Sequence, residues 1–192
     1  MSSPFAIFEQ WFVAAEQAKV IEPNAMVLST VDSQNRPSSR VVLFKRFHEE
    51  VLYFFTNYNS QKSQQLEKNP AVCVNFHWRE PSHRQIRIEG KIVKASKQIS
   101  DDYFATRARG SQLGAWASPQ SQVIASREEL EKRVAEIEKK FAGKDVPRPE
   151  FWGGWGMVPS RFEFWQEGES RLHSRMVYEK QGDEWKTSLL GP

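Results

Sequence analysis

Residues 25–57, AMVLSTVDSQNRPSSRVVLFKRFHEEVLYFFTN, decide how this chain is to be read. AMVLSTV is a β-rich run that ends in the polar turn Asp32 to Asn35, SSRVVLFKRF follows, a second turn lies around His48 to Glu50, and VLYFFTN closes the set. Tight turns in succession predict an antiparallel meander. Within RVVLFKRF the strand period puts Arg40, Val42 and Phe44 on one face and Val41, Leu43 and Lys45 on the other. One cation therefore falls on each face of a sheet that buries one of them. The inward one needs an anion, unless Lys45 already stands at a wet strand end.

Working outward, Ser3-Pro4 is a cap and first-turn pair for a helix whose apolar face carries Phe8, Trp11, Phe12 and Ala15, ended by Pro23. Ser60 to Asn69 reads as a short helix closed by Pro70, and AVCVNFHW and QIRIEGKIVKAS as further strands. Ser100 is the expected cap of the helix DDYFATRAR, stopped by Gly110. Ser126 and Glu129 form a capping box for a helix that buries Leu130, Val134, Ile137 and Phe141. RFEFWQ, RMVYEKQ and EWKTSLL supply the last strands. About seven strands, few of them separated by helices, predict a mainly β fold: a closed or nearly closed antiparallel barrel with peripheral helices, since closure removes exposed edges. No linker divides residues 1–192, which read as one domain.

The composition agrees. The chain of 192 residues is 39% hydrophobic and 27% charged, with 13 Phe and 7 Trp, which excludes disordered, collagenous and coiled-coil classes. Apolar runs such as VVLF fall far short of the roughly 20 residues that span a bilayer, and no signal peptide is visible. A lone cysteine, Cys73, forms no intrachain disulfide, so the expected compartment is the cytoplasm. The net charge of +3 suits small anions at least as well as nucleic acid.

Several chemistries lack their residues. WGGWGMVP is neither of the standard glycine phosphate loops, so side chains must hold any nucleotide. His48, His77, His83 and His173 have no metal-ligand spacing, and no nucleophile elbow is present. Three constellations remain. Tyr103, Arg107 and Ser111 share one face if a single helix continues through them, where a phenol, a guanidinium and a hydroxyl make a phosphate clamp; the same spacing also suits an ordinary exposed helix face. RLHSR puts Arg171, His173 and Arg175 on one side of an extended chain, around an anion or ring, or on a solvated edge strand. Trp165 could cover a planar group or simply be core. Gln85, Gln120 and Ser121 border apolar runs and say little alone.

Taken in order, FEQW, RVVLFK, FFTNYNSQKSQQLEKNP, RQIRIEGK, DYFATRARGSQLGAWASPQS, FWGGW, EFWQ and RLHSR resemble the pyridoxamine 5'-phosphate oxidase family over nearly the whole chain. The resemblance implies the FMN-binding split barrel and a homodimer with FMN at its interface, with no role for nucleic acid or membrane. It implies oxidation of pyridoxamine or pyridoxine 5'-phosphate at C4' to pyridoxal 5'-phosphate, with dioxygen as acceptor and hydrogen peroxide released. By matching motif it assigns Arg40, Val41, Val42, Leu43, Lys45, Phe55, Thr56, Gln61, Lys62, Gln85, Gln120, Ser121, Trp165 and Arg175 to FMN. Lys45, Tyr103, Arg107 and Ser111 go to the substrate phosphate, and Arg171 and His173 to the substrate ring as the catalytic pair. Gln61 stands where the family usually has arginine, Phe55 where tyrosine is common and Ser174 where an acid is usual. The sequence also begins without the basic N-terminal segment that can fold over the substrate in this family. A related oxidase of a phenazine-type ring, a flavin or B6-phosphate carrier without activity, and a nucleic-acid-binding barrel are the alternative readings.

Overall fold

In the computed structural model, which describes residues 3–192, Ser3 caps α1 (Pro4–Gln17), its hydroxyl accepting from the Ala6 N–H at 3.4 Å. Phe8 and Ala15 are buried, and Phe5, Trp11 and Phe12 pack beside them. The helix stops well before Pro23, where Lys19 takes a positive φ of 58°.

The strands are β1 (Ala25–Val31), β2 (Pro37–Leu43), β3 (Arg46–His48), β4 (Val51–Asn57), β5 (Ala71–Trp78), β6 (Arg84–Lys94), β7 (Trp152–Gln166), β8 (Ser174–Gln181) and β9 (Glu184–Leu189). Every pairing is antiparallel, and the order is β2-β1-β5-β6-β7-β4-β3, with β8 on β7 and β9 on β8. The expected meander therefore holds only as two hairpins. The chain changes edge within VVLFKRF: the Phe44 N–H donates to Asn24 O at 2.8 Å, beside β1, and the Lys45 N–H to Tyr53 O at 3.0 Å, on β4, and the alternation breaks there, Phe44 and Phe47 both packing on the core. That step draws the two edges of the sheet together into a curled half-barrel. Inside it Met26, Leu28, Phe54, Phe76, Ile86, Ile88, Met157 and Phe162 are fully buried. The long β7 pairs with β4 over its first half and β8 over its second. A bulge at Glu89/Gly90 lies between these halves, and at Gly90 any Cβ would collide with the Val158 carbonyl.

The helices α2 (Gln61–Lys68), α3 (Lys97–Thr106), α4 (Arg109–Ala117) and α5 (Arg127–Lys140) lie outside the sheet. Phe104, Leu113, Phe141, Val146 and Trp152 make a second core with the last three of these. Three helix details differ from the sequence reading. Ser96 caps α3, while Ser100 lies inside it and ties it to β7 by accepting from the Gly154 N–H at 3.1 Å. The expected continuous helix through Ser111 breaks at Arg107, whose φ of −72° and ψ of 143° are extended, and Gly110 sits in the first turn of α4. In α5 the Ser126 cap forms at 3.2 Å, but the Glu129 carboxylate reaches back to the Ala125 N–H instead of that of Ser126. Of its predicted stripe only Phe141 is buried. No helix among the described residues is long and apolar enough to cross a membrane.

Candidate active site

Asn57 ends β4 and Ser60 caps α2, so the first turn of α2 follows directly on the end of that strand. Lys62 turns back from that turn, its Nζ donating to Thr56 Oγ1 (3.2 Å), Gln120 Oε1 (3.1 Å) and Ser60 Oγ (3.4 Å). All three partners are neutral. Burial, and then the Arg40 charge, push the Lys62 pKa down to about 8. Arg40 points from β2 to the same helix and donates to Thr30 Oγ1 (2.6 Å), Ser38 Oγ (2.7 Å), Leu28 O (3.2 Å) and Gln65 Oε1 (3.2 Å), again without a carboxylate.

A cleft of about 270 Å³ opens beside them, lined by Val41, Val42, Leu43, Lys45, Phe55, Thr56, Lys62, Tyr103, Arg107, Gln120 and Trp152. One wall is aromatic: the Phe55 ring stacks on Tyr103 at 3.9 Å and is nearly parallel to Trp152 at 5.8 Å. Lys45 Nζ lies 5.7 Å over Tyr103, and the Arg107 guanidinium 4.6 Å over Trp152. Arg107 Nη1 is buried with no hydrogen-bond partner. An adjoining cavity of about 240 Å³ shares Arg107, Gln120 and Trp152 and adds Asn57 and Ser111. Arg107 thus lines both spaces, with Tyr103 in the first and Ser111 in the second, although the helix expected to align them is broken. No Asp or Glu lines either cavity among the described residues; Asp102 lines a neighbouring hollow that shares Lys45, Phe55 and Tyr103.

The remaining predicted residues gather elsewhere. Gln85, Trp165 and Arg175 stand opposite one another on β6, β7 and β8. The His173 ring lies 4.6 Å from Trp165, and Arg171 is exposed in the turn before it, at a φ of 63°. Arg175 donates to Glu163 Oε1 through Nε (2.9 Å) and Nη2 (2.7 Å). Glu163 is 2% exposed and also takes Arg87 and Arg161, both at 3.3 Å. Burial pushes its carboxyl up, but Arg175, Arg161 and Arg87 outweigh burial and hold its pKa below the usual range. None of this cluster lines the cleft. Gln61 is exposed on α2 and lines neither cavity, and Ser121 is exposed at a φ of 69°.

Sequence reasoning passed over Trp152 and Glu163. Trp152 reads as the plain apolar start of a strand. Glu163 did leave a signal, an acid between Phe162 and Phe164 on a strand, which alternation turns away from the core.

A cleft lined by unneutralised cations and by flat apolar and aromatic walls suits a phosphorylated planar cofactor. Side chains, not a glycine loop, would hold the anion. The family model described as pyridoxamine 5'-phosphate oxidase matches residues 12–141, and that described as the pyridoxine 5'-phosphate oxidase C-terminal dimerisation region matches residues 152–192. The pyridoxine/pyridoxamine 5'-phosphate oxidase of Rubrobacter xylanophilus is 51% identical over 98% of this chain and 87% of its own. That of Myxococcus xanthus is 48% identical over 98% of this chain and 91% of its own. Among solved structures, PhzG from Burkholderia lata, in complex with tetrahydrophenazine-1-carboxylic acid, superposes with a TM-score of 0.94 at 33% identity, covering 100% of this chain and 94% of that one. An FMN-binding protein from Nostoc punctiforme, at 16% identity and a TM-score of 0.80 over 100% of this chain and 98% of that one, shares the fold.

Proposed function

The chain belongs to the pyridoxamine 5'-phosphate oxidase family, and from that premise we propose how its own residues carry the activity. The activity is FMN-dependent oxidation of pyridoxine or pyridoxamine 5'-phosphate to pyridoxal 5'-phosphate. Lys62, with Arg40 and the first turn of α2 beside it, would hold the FMN phosphate, and Val41 to Leu43, Phe55, Thr56 and Gln120, which line the same cleft, would hold the rest of the cofactor. When bound, FMN supplies the two-electron acceptor for C4', with dioxygen as the final acceptor.

Lys45, Tyr103, Arg107 and Ser111 anchor the substrate phosphate. The unpartnered Nη1 of Arg107 is the observation that carries this assignment. A buried guanidinium nitrogen without an acceptor costs free energy that a phosphate oxygen would offset. Binding energy spent at the phosphate then holds C4' in position for reaction. Arg171 and His173 serve the substrate ring, orienting it and assisting proton loss at C4'.

In one chain His173 lines no part of the cleft that Lys62 and Arg107 define. We place the pair on the substrate by pairing two copies, so that each site draws on both. The match of residues 152–192 to a dimerisation region supports this. So does the apolar surface left beside the cleft, where Val41 is 63% exposed and its cross-strand partner Val27 is 38% exposed.

The test is an assay of purified, FMN-loaded protein for pyridoxal 5'-phosphate and hydrogen peroxide in equal amounts from each B6 phosphate. Protein that binds FMN but forms neither product would overturn the reading, and oxidation of tetrahydrophenazine-1-carboxylic acid, the molecule bound in the Burkholderia structure, in their place would redirect it to a phenazine-type ring.

A further inference from the structure

Outside the cleft a chain of titratable side chains is left unused by the activity. His77 Nε2, on β5, lies 2.7 Å from Nε2 of His83, which immediately precedes β6. His83 Nδ1 lies 3.2 Å from a carboxylate oxygen of Glu167, which immediately follows β7. The backbone repeats the tie, since the Glu167 N–H donates to the His83 carbonyl at 3.0 Å. Glu167 opens the loop that carries Arg171 and His173. At the far end of that loop, His173 Nδ1 accepts from the Gly168 N–H at 3.3 Å and its ring lies 4.6 Å from Trp165. The same indole meets His83 edge-on, at 5.5 Å and 81°. The loop is therefore fastened to His83 twice, through Glu167 where it starts and through Trp165 where it ends.

The proton count of this chain is constrained. A contact between two ring nitrogens needs one to donate and the other to accept. Glu167 selects the tautomer with the proton on His83 Nδ1, which leaves His83 Nε2 to accept from His77. One added proton leaves the contact intact, since one of the two facing nitrogens still accepts. A second proton sets two N–H groups and two like charges against each other, and the contact must open. The groups that face the pair are Arg79 after β5, Glu167 after β7 and, across Trp165, His173. Arg84, next to His83, turns to Gln166 and Trp11. Burial, then His83, then Arg79 all lower the His77 pKa.

We propose that His83 is a positioning residue, holding the Glu167–His173 loop for catalysis, and that double protonation of the His77–His83 pair releases it. The proposal rests on the reading that Arg171 and His173 serve the substrate.

Its test uses the FMN-loaded protein and the variants His77→Asn and His83→Asn, followed from about pH 5 to about pH 8. Nitrogen-15 spectra of the parent should show the two rings titrating as one coupled pair, with the proton on His83 Nδ1 at the alkaline end. Exchange of the Gly168 amide should be about three- to tenfold faster in His83→Asn, and kcat about three- to tenfold lower, with KM for pyridoxamine 5'-phosphate and FMN content unchanged. His77→Asn should move the acid limb of kcat to lower pH. Independent titration of the two rings, an unchanged Gly168 exchange rate, or a His77→Asn profile that superposes on the parent would each overturn the proposal. If Arg171→Leu and His173→Ala keep full kcat, the substrate-side reading fails instead, and the Gly168 exchange rate still decides whether His83 holds the loop.

Discussion

The cleft beside α2 and the ionic row on β6, β7 and β8 are built from the same kinds of cation and treat them in opposite ways. In the row, Glu163 takes Arg87, Arg161 and Arg175, and Glu89 takes the first two again. Each guanidinium that loses water gains a carboxylate from its own chain. Lys62 in the cleft and Arg40 beside it donate only to neutral oxygens, and Arg107 keeps a buried nitrogen with no partner. Burial lowers the pKa of Lys62 to about 8, whereas in the row the arginines hold Glu163 ionised against burial. Basic residues alone therefore do not mark a ligand site. What marks it is a charge whose desolvation the chain leaves uncompensated, because only there does an added anion gain the full interaction.

The comparison breaks most visibly at Glu163. Glu163→Ala leaves the Arg175 guanidinium with only the Gly191 carbonyl and unbalances two more arginines. Stability should fall by about 3 to 5 kcal/mol, as for other broken buried ion pairs. For a chain of this size that is a drop of roughly 6 to 20 °C in Tm, readable by calorimetry. A loss under about 1 kcal/mol would show that the row is a surface network and remove the contrast.

Removing a cleft cation should do the reverse. Arg107→Ala deletes an uncompensated charge, so the ligand-free protein should keep its stability while KM for pyridoxamine 5'-phosphate rises. The lost charge-assisted bond is worth about 1.5 to 3 kcal/mol, or roughly 10- to 150-fold. Unphosphorylated pyridoxine should be turned over poorly and indifferently to the change. Equal losses on both substrates would return Arg107 to a structural role, stacked on Trp152.

How far the sequence could foresee this differs between the two regions. Turn residues and alternation located most strands, because each strand has one face on the core and that face must be apolar at period two. They did not locate the crossing at Phe44 and Lys45, although it breaks the period: Phe44 and Phe47, three apart, both pack on the core while Arg46 between them is exposed. Nor is the break at Arg107 marked by proline or glycine; the guanidinium packs on Trp152, from a strand distant in sequence. Residue-by-residue likeness brought Lys45, Phe55, Thr56, Lys62, Tyr103, Arg107 and Gln120 to one cleft. The same likeness was silent on charge balance, since Glu163 and Arg175 become partners only when β7 and β8 lie side by side.

A smaller effect comes from pH. Unfolded, Lys62 keeps its proton to about its ordinary 10.5; in the folded, ligand-free chain it loses it near 8, so the unfolded state binds more protons between these values and stability rises with pH across that window. A bound phosphate draws the proton back. FMN affinity should therefore be greatest below about pH 8 and weaken by about three- to tenfold between about pH 7 and pH 9, while Lys62→Arg flattens the curve. An affinity independent of pH in the parent would separate Lys62 from the phosphate.

The smallest effect tests the edge of the cleft. Gln61 lies on the first turn of α2 but is exposed and lines neither cavity, so its amide adds no charge where Lys62 already stands. Gln61→Arg would bring a guanidinium within reach of the phosphate position from the solvent side. Exposed pairs of this kind are worth about 0.2 to 1 kcal/mol, roughly 1.5- to 5-fold in the dissociation constant of FMN. Screening acts first on an exposed charge, so the gain should vanish in about 0.5 M salt, whereas the part owed to Lys62, held behind Thr56 and Gln120, should persist. Flavin fluorescence titrations of both proteins at low and high salt measure this directly. A gain above tenfold that survives salt would mean that residue 61 turns inward when the anion binds, and the cleft would then extend one residue further along α2 than its ligand-free walls show.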